Sequence, residues 1–380
     1  MKITDVETVF ARHYLFVKVH TDAGIVGLGE AGNWGFLAAT AAAIDKFKEF
    51  LVGKDPATIE HHYQNFYRAM YFRGSVIMSA ISAIDIALWD IKAKRFGVPA
   101  YELLGGKTRD RVRTYASGFI AKSAEQMVES CLELKAKGFT AAKLFLSEAE
   151  TTPGGEREIF ANKVEIAVDK VRRCREAVGW DFDLVLEVHR SMSAPEALAF
   201  CNEVEKYRPF AVEDPIAPDN PDMMGWLANR VRVPITTGER FINLHEFETL
   251  LARKGALYVR PDVCAVGGLT AAKKIAAVAE AHSVQIVPHN PLGPVSTAAC
   301  VQLCACIPNV GIQELPDFCL DGREDAMVKT PLRVENGCLV VPDAPGIGIE
   351  LADNAAELFP PRDRATNGAK LSFDGSVLDY

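Results

Sequence analysis

Apolar and polar positions alternate with a period of two through the first thirty residues, which predicts two or three strands with TDAG (residues 21–24) as the turn between LFVKVH and IVGLGE. A small antiparallel sheet follows from that. From Ala38 to about Phe50 and from Ile59 to Tyr71 the pattern is helical, and Ile77, Ile81, Ile84, Leu88 and Ile91 then repeat at four-three spacing with Asp85, Asp90 and Lys92 off the stripe. Pro99 and the Gly105-Gly106 pair punctuate the chain and mark a domain junction close to residue 110. Beyond it, strand-like runs fall at 113–119, 140–146, 183–187, 209–213, 234–239, 257–262, 285–289 and 310–314. Helical segments such as 123–137, 156–178, 194–206 and 268–282 separate them, and alternation of this kind specifies a parallel sheet that closes into a barrel. Residues 147–156, almost without apolar side chains, read as a loop after the second strand, and LRVENGCLVV as a hairpin with an Asn-Gly turn. The expected division is a capping domain over 1–112, a barrel over 113–330 and a segment, 331–380, that returns to the first domain.

Length agrees with this division, since 380 residues exceed a minimal barrel by about a hundred, and 49% apolar content can bury a large core. Net charge is −8, the isoelectric point is near 5.6 and no Lys/Arg block appears, so a nucleic-acid partner is not expected. Nine cysteines lack framework spacing and the start MKITDVETVF lacks an apolar signal core, which predicts a reduced, cytoplasmic protein. Cys300, Cys304 and Cys306 lie in an apolar helical stretch and read as core rather than as a thiolate cluster. No apolar run reaches membrane-spanning length, and the apolar content favours a homo-oligomer.

The candidate chemistry lies where the barrel strands end, because active sites of such barrels sit at that face. Glu187, Glu213 and Glu239 each close a short strand-like run, and they stand 26 residues apart. Three adjacent strands then offer three carboxylates at one mouth, a hard-oxygen set that suits Mg²⁺. Solvated loop acids or helix N-terminal charges are the competing account. Lys143 closes the second strand, Asp262 the sixth, His289 the seventh and Glu314 the eighth, while His189 follows Glu187 by two residues. Strand alternation puts Glu187 and His189 on one side, and strands three and seven stand opposite in an eight-membered ring, so the two histidines are expected to face each other across the mouth. Asp262, one strand from His289, is positioned to hold the far ring nitrogen and raise its basicity, although helix N-capping before GGLTAAKK competes for the same residue. Glu314 reads either as a structural carboxylate or, kept protonated by burial, as a hydrogen-bond donor to an enediolate. The other histidines, His13, His20, His61, His62, His245 and His282, read as structural.

These residues resemble the enolase superfamily in its mandelate racemase-like branch, and most closely its acid-sugar dehydratases of the galactonate dehydratase type. The motifs that carry the resemblance are TDAGIVGLGE, YRAMYFRG, SAISAIDIALWDIKAK, PAYELLGGK, LEVHRSMS, VEDP, TGER, RPDVCAVGGLT, VPHNPLGP and IQE, in that order. The resemblance implies an α+β capping domain over a modified (β/α)₇β barrel, one Mg²⁺ and proton abstraction next to a carboxylate. It puts the metal ligands on Glu187, Glu213 and Glu239, the dehydratase acid on His189, the base and its supporting carboxylate on His289 and Asp262, and a further carboxylate on Glu314. Lys143, Trp34 in the loop EAGNWGF, Asn290 and the segment from Tyr71 to Gly74 are then expected to face the substrate. Dehydration of an aldonate such as galactonate, gluconate or mannonate is the implied reaction. An epimerase or cycloisomerase, or an acid-sugar-binding protein with weak activity, are the alternatives. Three departures stand out: Lys143-Leu144-Phe145 where relatives have Lys-x-Lys, Glu187 where many have Asp, and Arg190 where galactonate dehydratases tend to have Gly.

Overall fold

The computed structural model describes residues 1–69, 71–117, 123–146, 159–362 and 374–377. The alternating N-terminal residues form a three-stranded antiparallel sheet of β1 (Ile3–Ala11), β2 (Tyr14–Thr21) and β3 (Val26–Ala31), covered by α1 (Leu37–Leu51), α2 (Ile59–Ala69) and α3 (Ser75–Phe96). Helix α3 is buried nearly all round, including Asp85 and Asp90, because each of its faces has a partner. On one side it lies against β3, where a Cβ on Gly29 would come within 1.9 Å of the Ala83 carbonyl oxygen and one on Gly27 within 2.1 Å of that of Ala87. Only glycine permits this approach. The following short helix is α4 (Ala100–Leu103).

The alternating second part forms β4 (Arg111–Ala116), α5 (Ala124–Ala136), β5 (Ala141–Phe145), α6 (Phe160–Val178), β6 (Asp183–Glu187), α7 (Ala194–Val204), β7 (Ala211–Glu213), α8 (Pro221–Ala228), β8 (Ile235–Thr237), α9 (Leu244–Ala252), β9 (Tyr258–Val259), α10 (Gly268–Ala281), β10 (Gln285–Ile286), α11 (Pro294–Cys306) and β11 (Gln313–Leu315). The strands pair in parallel in sequence order from β4 to β10, β11 pairs in parallel with β4, and a bridge between Ile286 and Val310 closes the ring. This is a (β/α)₇β barrel. Several ladders are shorter than the apolar runs suggest, and at β9 the reason is Pro261, which has no N–H to donate; pairing resumes one residue on, at Asp262 and His289. The loop expected at 147–156 and the end of the first barrel strand, 118–119, lie outside the described residues. Cys300, Cys304 and Cys306 are buried in α11, every residue of which is core.

After α12 (Phe318–Asp321), strands β12 (Val334–Glu335) and β13 (Cys338–Val340) make a two-residue hairpin through Asn336 and Gly337, both at positive φ, and β13 pairs antiparallel with β4. Past α13 (Ala355–Leu358), the Phe359 carbonyl accepts a hydrogen bond from the Arg12 amide at 2.8 Å, which brings this segment back to the turn after β1. Among the described residues no helix is long and apolar enough to cross a membrane.

The other side of α3 carries Ser79, Ser82, Asp85 and Trp89 at helical spacing, and all four bond to the loop before α10 or to its first turn. Ser79 donates to the Cys264 carbonyl (3.2 Å), Ser82 accepts from the Gly267 amide (2.8 Å), Asp85 accepts from the Thr270 amide (3.0 Å) and Trp89 donates to the Thr270 hydroxyl (2.9 Å). The Gly267 and Thr270 amides at the start of α10 are therefore satisfied from the first domain. Burial pushes the Asp85 carboxyl up to about 7 against these hydrogen bonds. An acid whose folded-state pKa is raised contributes stability that is full below its unfolded pKa and is lost as pH climbs through the folded value. The midpoint of thermal unfolding is therefore expected to fall more steeply from pH 5 to pH 8 in the wild type than in Asp85→Asn, by on the order of 5 °C. Parallel curves for the two proteins in scanning calorimetry would show that Asp85 does not set this slope.

Candidate active site and metal centre

Side chains on a strand return to the same face every second residue, a step of about 6.6 Å along the barrel. Inside the barrel, Tyr115, Ala141, Val185, Val287 and Ile312 form a closed apolar cluster with Tyr258 packed on it. Two residues further along the same strands come Ser117, Lys143, Glu187, His289, Glu314 and Arg260, all buried. A charged layer thus rests on an apolar plug, at the end where the strands stop.

Glu187 and Glu213 are register partners on β6 and β7. Glu239 reaches the same point from β8 across Gly238, whose φ of 124° turns the chain inward. Ligand oxygens of the three lie within 4.8 Å of one another. Lys143 Nζ stands 3.3 Å from Glu187, 3.0 Å from Glu213 and 2.8 Å from Glu314. Arg260, wholly buried, pairs with Glu213 (3.1 Å) and Glu314 (2.6 Å) and donates to the Tyr115 hydroxyl. Arg190 Nη1 bridges Asp214 (2.8 Å) and Glu239 (2.6 Å). Burial and the neighbouring Glu213 push the Glu187 carboxyl well up, with Lys143 opposing. For Glu213, burial is outweighed by Arg260 and Lys143, which hold it down. Among the described residues, none donates a hydrogen bond to the buried Glu213 Oε2. Three converging carboxylates, one resisting ionisation for lack of positive charge and one with an undonated oxygen, fit a small divalent cation.

His289 Nδ1 lies 2.9 Å from Asp262 Oδ2, and Asp262 Oδ1 accepts the Cys264 amide at 2.8 Å. With the carboxylate as acceptor, the ring proton sits on Nδ1 and Nε2 presents its lone pair. Nε2 is 3.5 Å from Glu239. Burial opposes charging this ring, but Glu239 and Asp262 outweigh it and raise its pKa. Trp34, from the loop after β3, meets the ring edge-on with centroids 5.9 Å apart. Asp262 is not the cap of α10: that helix begins after Gly267, and Ser82 and Asp85 bind its amides.

The structure corrects three expectations. Strand alternation does not carry to His189, because β6 ends at Glu187 and the chain turns through left-handed conformations at His189 (φ 53°) and Arg190 (φ 63°). The strands that lead to the two histidines, β6 and β10, do stand opposite in the ring. Arg190 Nη2 lies 2.9 Å from His189 Nε2, and since a guanidinium only donates, that nitrogen accepts and the neutral ring carries its proton on Nδ1. Glu314 is not a protonated donor: burial favours the neutral acid, but Lys143, Arg260 and His289 outweigh it and hold the carboxyl well below its ordinary range. Asn290 is fully buried, its amide group donating to Thr297 and the Glu314 carbonyl and accepting from Ser296, so it shapes the protein rather than meeting a substrate. Neither Arg260 nor Asp214 stands out along the sequence as a site residue. The signal for Arg260 was present, a charge two residues after Tyr258 and therefore on the inner face.

Comparison with known proteins agrees with this geometry. Residues 2–105 match the mandelate racemase / muconate lactonizing enzyme N-terminal domain, and residues 126–355 the enolase C-terminal domain-like family. The chain belongs to the enolase superfamily. Proteins named D-galactonate dehydratase are similar over the full length of both chains, at 36% identity in Xanthomonas oryzae pv. oryzae and in Variovorax paradoxus. A crystal structure from Agrobacterium radiobacter, a candidate galactarate dehydratase with sodium and L-malate bound, superposes with a TM-score of 0.92 at 31% identity over all of both chains. Membership of the superfamily with such relatives makes the chain an enzyme of the hydro-lyase class.

In this superfamily member, Arg260 neutralises two buried carboxylates. Arg260→Met is expected to cost about 3–5 kcal/mol in denaturant unfolding, since removing one partner leaves the others buried and uncompensated. A loss below about 1 kcal/mol, the level of an exposed pair, would show that Glu213 and Glu314 do not depend on it.

Proposed function

We propose that this enzyme dehydrates an aldonate, such as galactonate, gluconate or mannonate, to the 2-keto-3-deoxy acid, with Mg²⁺ held by Glu187, Glu213 and Glu239. The observation that carries the reading is the His289–Asp262 pair, 2.9 Å apart, beside three convergent carboxylates. Removing a proton next to a carboxylate builds a second negative charge on it. Mg²⁺ bound at the triad supplies the positive charge that this enediolate needs.

The chain's own residues do the rest. His289 Nε2 takes the C2 proton while Asp262 keeps the ring oriented, and the C–H electron pair passes to the enediolate. Lys143, held by three carboxylates, adds charge stabilisation, and ionised Glu314 serves by fixing Lys143 rather than by donating a proton. Return of the electron pair forms the C2–C3 double bond and expels the C3 hydroxyl, which leaves as water with a proton from His189. The enol then tautomerises to the ketone. His189 acts as imidazolium, a form that excludes donation from Arg190 to Nε2, so Arg190 must release that contact when the acid is used. With the two histidines on opposite sides of the substrate, elimination is anti. Trp34 covers His289. In the same reading residues 1–112 cap the barrel of 113–330, residues 331–380 return to the cap, and the protein works as a cytoplasmic homo-oligomer on a small acid sugar, without nucleic acid or membrane.

Assay of keto-acid formation over a panel of mono- and diacid sugars with Mg²⁺ is expected to find one active aldonate, with activity lost to EDTA. Exchange of the C2 proton with solvent without loss of water would mark an epimerase instead. His289→Asn is expected to lower turnover by at least about 10²-fold while Mg²⁺ affinity, measured by calorimetry, stays unchanged. Full activity in that variant would overturn the assignment of the base. Glu213→Gln is expected to weaken Mg²⁺ binding, and unaltered affinity would remove Glu213 from the ligand set.

A further inference from the structure

Three alternate residues of one capping-domain segment touch the two loops that carry the His289–Asp262 pair. Glu30, the penultimate residue of β3, is fully buried, and its two oxygens accept the Gly293 amide (2.7 Å) and the Ser296 amide (2.8 Å) at the start of α11, just after His289. Gly32 donates its amide to the Cys264 carbonyl (3.0 Å), on the turn that Asp262 begins. Trp34 meets the His289 ring itself. The fit leaves no slack: a Cβ on Gly32 would lie 2.9 Å from the Cys264 carbonyl carbon, and one on Gly293 would lie 2.8 Å from Glu30 Oε1. From Glu30 the contacts continue inward. The Ser296 hydroxyl donates to Asn290 Oδ1 (2.8 Å), and the Asn290 amide donates to Glu314 Oε2 (2.9 Å).

We infer that Glu30 is a positioning residue for the reaction, and that the segment Glu30–Trp34 sets His289 against Asp262 from the other domain. This rests on the reading of His289 as the base. A carboxylate in this place is demanding, since burial pushes its pKa up to about 8 in spite of the amides it accepts. A neutral side chain of the same shape would be easier to bury and would still fill the space, yet it would offer one acceptor oxygen where the start of α11 presents two amides. The geometry of a reacting pair is sensitive to displacements that leave a fold intact.

The test uses the full-length enzyme with Mg²⁺ and its active substrate. Glu30→Gln is expected to lower kcat by about 10- to 100-fold with KM changed by less than about three-fold. Mg²⁺ affinity by calorimetry stays at the wild-type value, and amide hydrogen exchange quickens in residues 289–297. Gly32→Ala, which removes no hydrogen-bonding group from the segment, is expected to lower kcat in the same way and decides the matter if Glu30→Gln does not fold. A folded variant with unaltered kcat overturns the inference, as does a parallel loss of Mg²⁺ affinity, which would mean general disruption of the barrel mouth. If His289→Asn were fully active the functional reading would fail first. If it is inactive while Glu30→Gln is unimpaired, only the positioning role fails.

Discussion

The concentration of charge at one end of a sealed barrel is the constraint on which the site depends. Glu187, Glu213, Asp214, Glu239, Asp262 and Glu314 are all buried or nearly so, within a mouth whose floor is the apolar layer below them. Buried charges are tolerable only where opposite charge stands in contact. Lys143, Arg190 and Arg260 each touch two or more of these acids and together reach all of them but Asp262, which pairs with His289. Six carboxylates against three cations leave a shortfall of positive charge, and the raised pKa of Glu187 is where that shortfall is felt. A divalent cation is the economical answer to it, and the same excess of negative charge keeps His289 basic.

A second constraint is that the loops bearing this chemistry must not move. Loops at strand ends are the most mobile parts of a barrel, and burying their amides requires acceptors from somewhere. Here the acceptors come from the capping domain: Asp85 and Ser82 serve the start of α10, and Glu30 the start of α11. The glycines of β3 let α3 lie close enough for those side chains to reach. What reads along the chain as a helix with one apolar stripe, SAISAIDIALWD, is a helix with two buried faces, one apolar toward its own sheet and one polar toward the barrel.

This explains what the sequence could and could not tell. Strand order and the equal spacing of Glu187, Glu213 and Glu239 were legible because each strand is followed by one helix-length segment and each strand-end residue enters the same ring. The pairing of Asp262 with His289 was legible for the same reason, as both follow neighbouring strands by the same count. Legibility ended with the strands. Beyond Glu187 the backbone enters turn conformations that periodicity does not encode, so the direction of His189 could not follow from alternation. Nor can a pattern report protonation: that Glu314 is ionised depends on Lys143 and Arg260, which arrive from strands 171 and 54 residues away in sequence. Asn290 had the right position for a substrate contact, but its hydrogen-bonding capacity is used by Ser296, Thr297 and Glu314, which only a folded structure reveals.

The two departures from the relatives at Glu187 and Arg190 belong together. Arg190 has a φ of 63°, a conformation that costs an L side chain on the order of 1 kcal/mol and that glycine adopts without cost, which accounts for glycine being suited to this position. An arginine is retained there by contacts that glycine lacks, to Asp214 and Glu239 and to the ring of His189. Glu187, one methylene longer than Asp, reaches back across the same turn so that Oε1 accepts the His189 amide at 2.7 Å while Oε2 faces Lys143. The longer acid thus braces the turn and the guanidinium fills the space beside it, so the pair changes the surroundings of His189 rather than of His289. On the proposed mechanism, differences in substrate stereochemistry between this chain and its relatives are accordingly expected at the carbon whose hydroxyl leaves, not at the carbon that loses its proton.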